Sequence, residues 1–347
     1  MIDFISPNIN TDIFIKRIMN KILEQVEQTE LLKSSATDLL VNDDGYRKLR
    51  SELHPDRFPF NTPLQARAEK AFIKLEKLYE LMKEPDIEIS SKNNNYVLGD
   101  LLGVGDVSNV YRASSNGKHD FIAKVSRIKG GDLFISRESQ VLTKLTKAVG
   151  DLTYKNYFPR LVESFLWKED FQRRVNIFEE PHKLYNLDQV KLRYPDGVDG
   201  RHVCWIFRRI LTGLGFFHRQ NVVHGAILPQ HILVEPDSHG VCICGWIHSI
   251  EPNQLITVVP QSYKTWYPEE VLKKTYSGPE SDIFLAAKTV LYIADEELPK
   301  PIRRFLESLL LDSPKMRPSD AWKLNDEFTE VMDSVYGIRR FVPFLMK

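Results

Sequence analysis

The stretch His224-Gly225-Ala226-Ile227-Leu228-Pro229-Gln230-His231-Ile232-Leu233-Val234 decides the fold. It follows an apolar helical run that ends Gly215-Phe216-Phe217-His218 and finishes on a short β-like run. A second such run, Val241-Cys242-Ile243-Cys244-Gly245-Trp246, comes soon after.

The composition around this stretch is that of an ordinary globular chain. At 347 residues it has the length for two or more domains. Hydrophobic residues make up 42% and charged residues 27%, enough of the former for a sizeable core. Lys plus Arg equals Asp plus Glu at 47 each, a balance that gives no support for a nucleic-acid or membrane-surface partner. The three cysteines, Cys204, Cys242 and Cys244, are odd in number and suggest no disulfide framework. Cys242 and Cys244 alternate with Val241 and Ile243 and read as core positions; no second Cys/His pair stands at zinc spacing, so no metal site is expected. The first residues are interrupted by Asp3, Asn8, Asn10, Asp12 and Lys16, and no window approaches the ~20 apolar residues of a membrane span. The expected location is cytoplasmic.

In register and surroundings the opening stretch resembles the catalytic loop of the protein-kinase family, which reads H-R-D-L-x-x-x-N. The frame is kept, and three chemical positions depart from it. Ala226 stands where that family has its catalytic Asp, and His231 where it has a metal-binding Asn. Gly245 stands where the D-F-G motif has its metal-binding Asp. A register shifted by one would put Cys244 there, and Mg²⁺ wants hard oxygen donors in either case. His224 matches a position that the family uses structurally. The acidic residues Glu235 and Asp237 are near enough in sequence to be substitutes.

The resemblance covers about residues 96–325 and extends upstream of the loop. Gly103-Val104-Gly105-Asp106-Val107-Ser108-Asn109-Val110 is similar to the glycine-rich G-x-G-x-x-G-x-V turn, with Ser108 replacing the third glycine. Phe121-Ile122-Ala123-Lys124 matches the V-A-I-K strand, and Glu138 falls where the family's helix αC glutamate belongs. The Asn176-Ile177-Phe178-Glu179-Glu180-Pro181 run reads as the strand and hinge whose backbone would meet an adenine. The resemblance thus implies ATP or ADP held without Mg²⁺ by Gly103, Gly105, Ser108, Val110, Lys124, Glu138 and Glu179. Downstream, Tyr267-Pro268-Glu269 resembles A-P-E, and Ser281-Asp282 looks like the start of the central helix, where Asp282 has a structural part. Arg317 resembles the late arginine that pairs with the A-P-E glutamate, so a buried Glu269–Arg317 ion pair is expected. The chain is short for the family between Asp282 and Arg317.

A different pattern precedes this part. The helix signal in Tyr46-Arg47-Lys48-Leu49-Arg50-Ser51-Glu52-Leu53 runs into His54-Pro55-Asp56, and Pro55 pushes His54 out of helical geometry. Then Ala68, Phe72, Leu75, Tyr79 and Met82 form a seam spaced by four and three that suits helix-on-helix packing. Helix, His-Pro-Asp loop and helix resemble the J-domain family. That resemblance implies a DnaK-type chaperone as partner, met by His54, Pro55 and Asp56 and by Arg47, Lys48 and Arg50 on the basic face.

The expected fold class is therefore α+β: a bilobal protein-kinase-like domain preceded by an all-α J-like helical module. The expected division is a helical segment at 1–39, the J-like module at 40–84, a linker at 85–95, the kinase-like domain at 96–325, and a C-terminal helix with an apolar tail at 326–347. The expected function is that of a catalytically inactive adaptor or regulator. Two rivals remain: an atypical ATP-dependent phosphotransferase, and a purely structural subunit that meets other proteins of a complex through its tail or first helix.

Overall fold

The computed structural model describes residues 87–346 apart from 151–152, 169–171, 182, 252–253 and 338–340, and upstream of these a set of separate positions between 47 and 76. The segment expected as a first helix, 1–39, and Lys48 lie outside the described residues. The chain falls into two compact units, one drawn from Met1–Gly105 and Asn109–Lys124, the other from Asp106–Ser108 and Val125–Lys347.

In the first unit, Arg47, Arg50 and Ser51 are helical, and Pro55–Arg57 makes a 3-10 turn. The described positions between 65 and 76 are helical again. Ala68, Ala71 and Leu75 are fully buried and recur at the three- and four-residue spacing of one helix face. Arg50 reaches Glu76 at 2.7 Å, and the His54 ring stands edge-on to Phe72 at 5.3 Å.

The same unit carries a meander of four strands in the order β1 (Ile87–Ser90), β2 (Asn95–Val104), β3 (Ser108–Ser115) and β4 (Lys118–Ser126). The expected linker at 85–95 is corrected here. Ile87–Ser90 pairs antiparallel with β2, from Ile87 opposite Leu98 to Ser90 opposite Asn95. The polar run is the hairpin turn. The Ser91 hydroxyl accepts the amides of Asn93 and Asn94, which is why serine and asparagine crowd the place.

The second unit is built on α3 (Gly200–Arg219), preceded by α1 (Asp132–Ala148) and α2 (Leu187–Arg193) and by β5 (Leu161–Lys168) paired antiparallel with β6 (Gln172–Glu179). Val203, Ile206, Phe207, Ile210, Leu211, Leu214 and Phe217 of α3 are fully buried. Each such side chain contributes about 1.5–3 kcal/mol relative to an exposed one. A small antiparallel sheet of β7 (Tyr185–Asn186), β8 (Ile232–Glu235) and β9 (Gly240–Ile243) holds the C-terminal end of the stretch that opened the sequence. Then come α4 (Glu269–Leu272), α5 (Pro279–Ile293), α6 (Lys300–Ser308) and α7 (Ala321–Tyr336). The boundary expected at 325/326 falls inside α7. That helix is welded to α3 along its length. The Trp322 indole donates to the Thr212 carbonyl at 3.2 Å, Arg208 reaches Thr329 at 2.9 Å, and Phe328 stands edge-on to Phe207 at 4.9 Å.

Candidate functional site

Asp282, at the start of α5, fixes the backbone of the loop. Its two carboxylate oxygens accept the amides of His224 and Gly225 at 2.8 Å each, and His218 at the end of α3 meets it at 3.0 Å. Asp282 is completely buried, where a carboxylate is tolerated only with such partners. Gly225 has φ +78°, and a Cβ there would come 2.6 Å from the His248 carbonyl oxygen, so glycine is required. Tyr267, just before α4, donates its hydroxyl to the Gly225 carbonyl, and Thr289 of α5 donates to that of Ile227, closing the frame. Burial raises the Tyr267 hydroxyl pKa and keeps it a donor.

Inside this frame Ala226, His231 and Gly245 come together. His231 donates from Nδ1 to the Ala226 carbonyl at 2.8 Å, which makes its Nε2 the acceptor toward the Gln230 amide at 3.1 Å. Gly245 is left-handed at φ +85°, and a Cβ on it would lie 2.5 Å from His231 Cδ2. The imidazole thus fills the side of Gly245 on which any side chain would project. His224 is held in the other tautomer: Nε2 donates to the Cys244 carbonyl at 3.0 Å, and Nδ1 accepts the Ala226 amide at 3.2 Å. Neither Glu235 nor Asp237 is drawn in. Glu235 takes the Ser238 hydroxyl, and Asp237 pairs with Lys183 at 3.5 Å on the surface. Among the described residues no group of three or more His, Cys, Asp or Glu side chains is placed to hold a metal ion. Cys242 is buried, and burial pushes its thiol pKa up.

Glu138, on α1, is 2% exposed. Its Oε1 accepts the Trp246 amide at 3.2 Å and its Oε2 accepts Asn176 Nδ2 at 3.1 Å. Asn176 also donates to the Ile135 carbonyl at 2.9 Å, so one amide braces both the glutamate and the helix that carries it. Neither Asn176 nor Trp246 is marked by the motifs as a partner of Glu138. An asparagine in the middle of an apolar strand was the available signal.

The glycine-rich residues form the β2–β3 hairpin, with Gly103 opposite Val110 and Val104 opposite Asn109. A Cβ on Gly103 would meet no atom of the described residues within 4 Å, so no packing within the fold calls for glycine there. Ser108 and Lys124 are buried, at 3% and 8% exposure. Glu179 sits at the end of β6 on the surface, paired with Arg160 at 2.8 Å. Of the residues near the His-Pro-Asp turn, Arg47, Arg50, His54 and Asp56 are exposed and Pro55 is half-buried.

The expected Glu269–Arg317 pair is corrected by one residue. Arg317 binds Glu270 through two nitrogens, at 2.6 and 3.1 Å, and also donates to the Leu311 and Asp312 carbonyls. Glu269 points to solvent and pairs with Lys273 one turn on. Pro268 caps this short helix, and one step along a helix turns a side chain by roughly 100°, so only Glu270 faces inward.

The fold has a solved counterpart. The chain superposes on the crystal structure of the BubR1 kinase domain with a TM-score of 0.57 and 12% sequence identity, over 72% of this chain and 84% of that one. The fold is that of a protein kinase. Sequence similarity reaches proteins with kinase names as well. Sperm motility kinases 2B and 1 of Mus musculus are each 25% identical over 95 residues, 27% of this chain and 20% of theirs. The match therefore spans a fifth of the length of those relatives. No protein-family model matches the chain. No helix of the described residues is long and apolar enough to cross a membrane.

Proposed function

We propose that this kinase-fold chain transfers no phosphate and works as a binding or regulatory adaptor. One observation carries the reading: the His231 ring stands against Gly245 and is tied to the Ala226 carbonyl. Phosphoryl transfer needs two Mg²⁺ ions held by oxygen ligands and a carboxylate that orients the attacking hydroxyl. At the three matching positions this chain offers a methyl group, an imidazole with both nitrogens engaged, and no side chain. Such a set does not fit Mg²⁺, and no step runs through it. The experiment is transfer of labelled phosphate from ATP, with Mg²⁺ or Mn²⁺, to the chain itself and to a generic protein acceptor. Incorporation above that of Lys124→Ala would defeat the reading.

A nucleotide bound without metal belongs to the same reading. The open space beside Gly103 and the buried Lys124 fit phosphate groups, which backbone amides and an ammonium can hold. Gly105 and Val110, in the same unit of the chain, would complete that phosphate site. Recruitment of a DnaK-type chaperone is the second half of the adaptor role. The exposure of Arg47, Arg50, His54 and Asp56 around the 3-10 turn supports it. Stimulation of a DnaK-type ATPase by the full chain, lost in His54→Gln, is the test.

A further inference from the structure

Asp106-Val107-Ser108, at the tip of the glycine-rich hairpin, belongs to the second unit of the chain. Three contacts hold it there. Val107 is 3% exposed and forms an apolar cluster with Ile135 of α1 and Ile247, with Phe134 laid against them. The Val107 carbonyl accepts the Arg127 amide at 2.8 Å. The Asp106 carboxylate accepts the Gln261 amide at 2.9 Å, across 155 residues of sequence.

The two walls of the Val107 cluster are themselves fastened to one another. Trp246, next to Ile247, gives its amide to Glu138, one turn along α1 from Ile135. The seat is thus made of α1 and of the turn at Trp246 and Ile247, tied together by Glu138. A phosphate-binding turn works by keeping its amides and its small residues free to approach an anion. Here a β-branched apolar side chain at the tip is buried, and a carboxylate beside it is turned to a protein amide. Nucleotide phosphates and Asp106 are both anionic, so a nucleotide that enters has to part from this carboxylate.

We propose that Asp106–Ser108 is a self-docked latch, which is seated against Ile135 of α1 and Ile247 and must withdraw before a nucleoside di- or triphosphate binds at the turn. The inference rests on the nucleotide reading given above for what the latch excludes. The docking itself does not depend on it.

Two measurements on the full chain separate the two. Amide hydrogen exchange reads the latch directly: in the wild type the 104–110 segment and the Arg127 and Gln261 amides exchange slowly. Val107→Asp opens all of them, while Asp106→Ala, a gentler change, frees Gln261 first. Exchange of the wild-type segment at the rate of an open loop overturns the latch. The second measurement is titration with a fluorescent ATP analogue, in chelator and in Mg²⁺. A tip docked nine-tenths of the time lowers apparent affinity about tenfold, and the released variants regain that factor. Equal affinity in the wild type and both variants overturns the gating role. Binding by none of them, with exchange showing release, overturns the nucleotide reading and the gating role together.

Discussion

The His231 imidazole occupies the space into which a side chain on Gly245 would project, 2.5 Å from the Cβ position. A side chain at position 245 is therefore excluded by the residue at position 231. An Asp placed at 245 alone meets both the ring and a left-handed backbone, which costs a non-glycine residue about 1–3 kcal/mol. Gly245→Asp is expected to lower the melting temperature by about 2–4 °C per kcal/mol. Adding His231→Asn should recover part of the loss, because the ring goes and the backbone strain stays. Thermal melts of the single and double variants check this; a single variant as stable as the wild type would show that the ring swings aside freely.

The second relationship is Glu270 with Arg317, 7% and 0% exposed in their side chains. Removing one member of a buried pair strands the other charge, at about 3–5 kcal/mol. Glu270→Ala should lower stability by that amount, and Glu269→Ala, on the surface, by less than about 0.5 kcal/mol. Urea denaturation midpoints at an unchanged slope decide it. Equal effects of the two substitutions would sink the assignment.

These two pairs also mark how far the sequence could be read. Order and spacing of motifs carried the kinase-like fold, since each landmark is a local pattern of turn formers and apolar residues. Which of Glu269 and Glu270 faces inward is not local, because it depends on where Pro268 starts a four-residue helix. The polar run at 91–94 hides its structure for a related reason. Asn93 and Asn94 look like solvated chain until Ser91 is seen to hold their amides between two strands. For Val107, the sequence offered a glycine-rich turn, and only the fold brings Ile135 and Ile247 against it.

Glu138 gives a third prediction. Its oxygens are acceptors for Trp246 and for Asn176. Glu138→Ala leaves two buried donors without these acceptors, at about 1–3 kcal/mol each. The expected loss is about 2–4 kcal/mol, with Glu138→Gln intermediate because it keeps one acceptor oxygen. Equilibrium unfolding monitored by Trp246 and the other tryptophans measures it. A loss under about 1 kcal/mol for the alanine variant would mean that water replaces the carboxylate.

The C-terminal tail provides the last. Phe344 is buried, resting on His202 at 4.7 Å and on Tyr194 at 5.8 Å, while the Tyr194 hydroxyl donates to the Leu345 carbonyl at 2.5 Å. His239 is sandwiched between Trp205 and Phe341, with ring centroids 4.3 and 4.2 Å away, and donates from Nε2 to the Val342 carbonyl. Both histidines have their pKa lowered from the ordinary 6.5, chiefly by burial. For His202, Asp199 opposes the shift while His239 and Arg201 add to it. For His239, the Val342 carbonyl opposes it and Arg209 adds to it. His202 Nδ1 also accepts the Trp205 indole N–H at 3.2 Å, a bond that protonation there destroys. A folded-state pKa below the unfolded one means that the unfolded chain binds more protons. The stability is therefore present above the ordinary pKa of 6.5 and is lost as pH falls through the lowered values. Amide exchange of residues 341–346 should be slow at about pH 8 and, corrected for intrinsic rates, fast at about pH 5.5. His202→Gln, which keeps an acceptor and loses the titration, should flatten the response, and Phe344→Ala should free the tail at both pH values. Equal protection of the wild-type tail at the two pH values would refute the coupling.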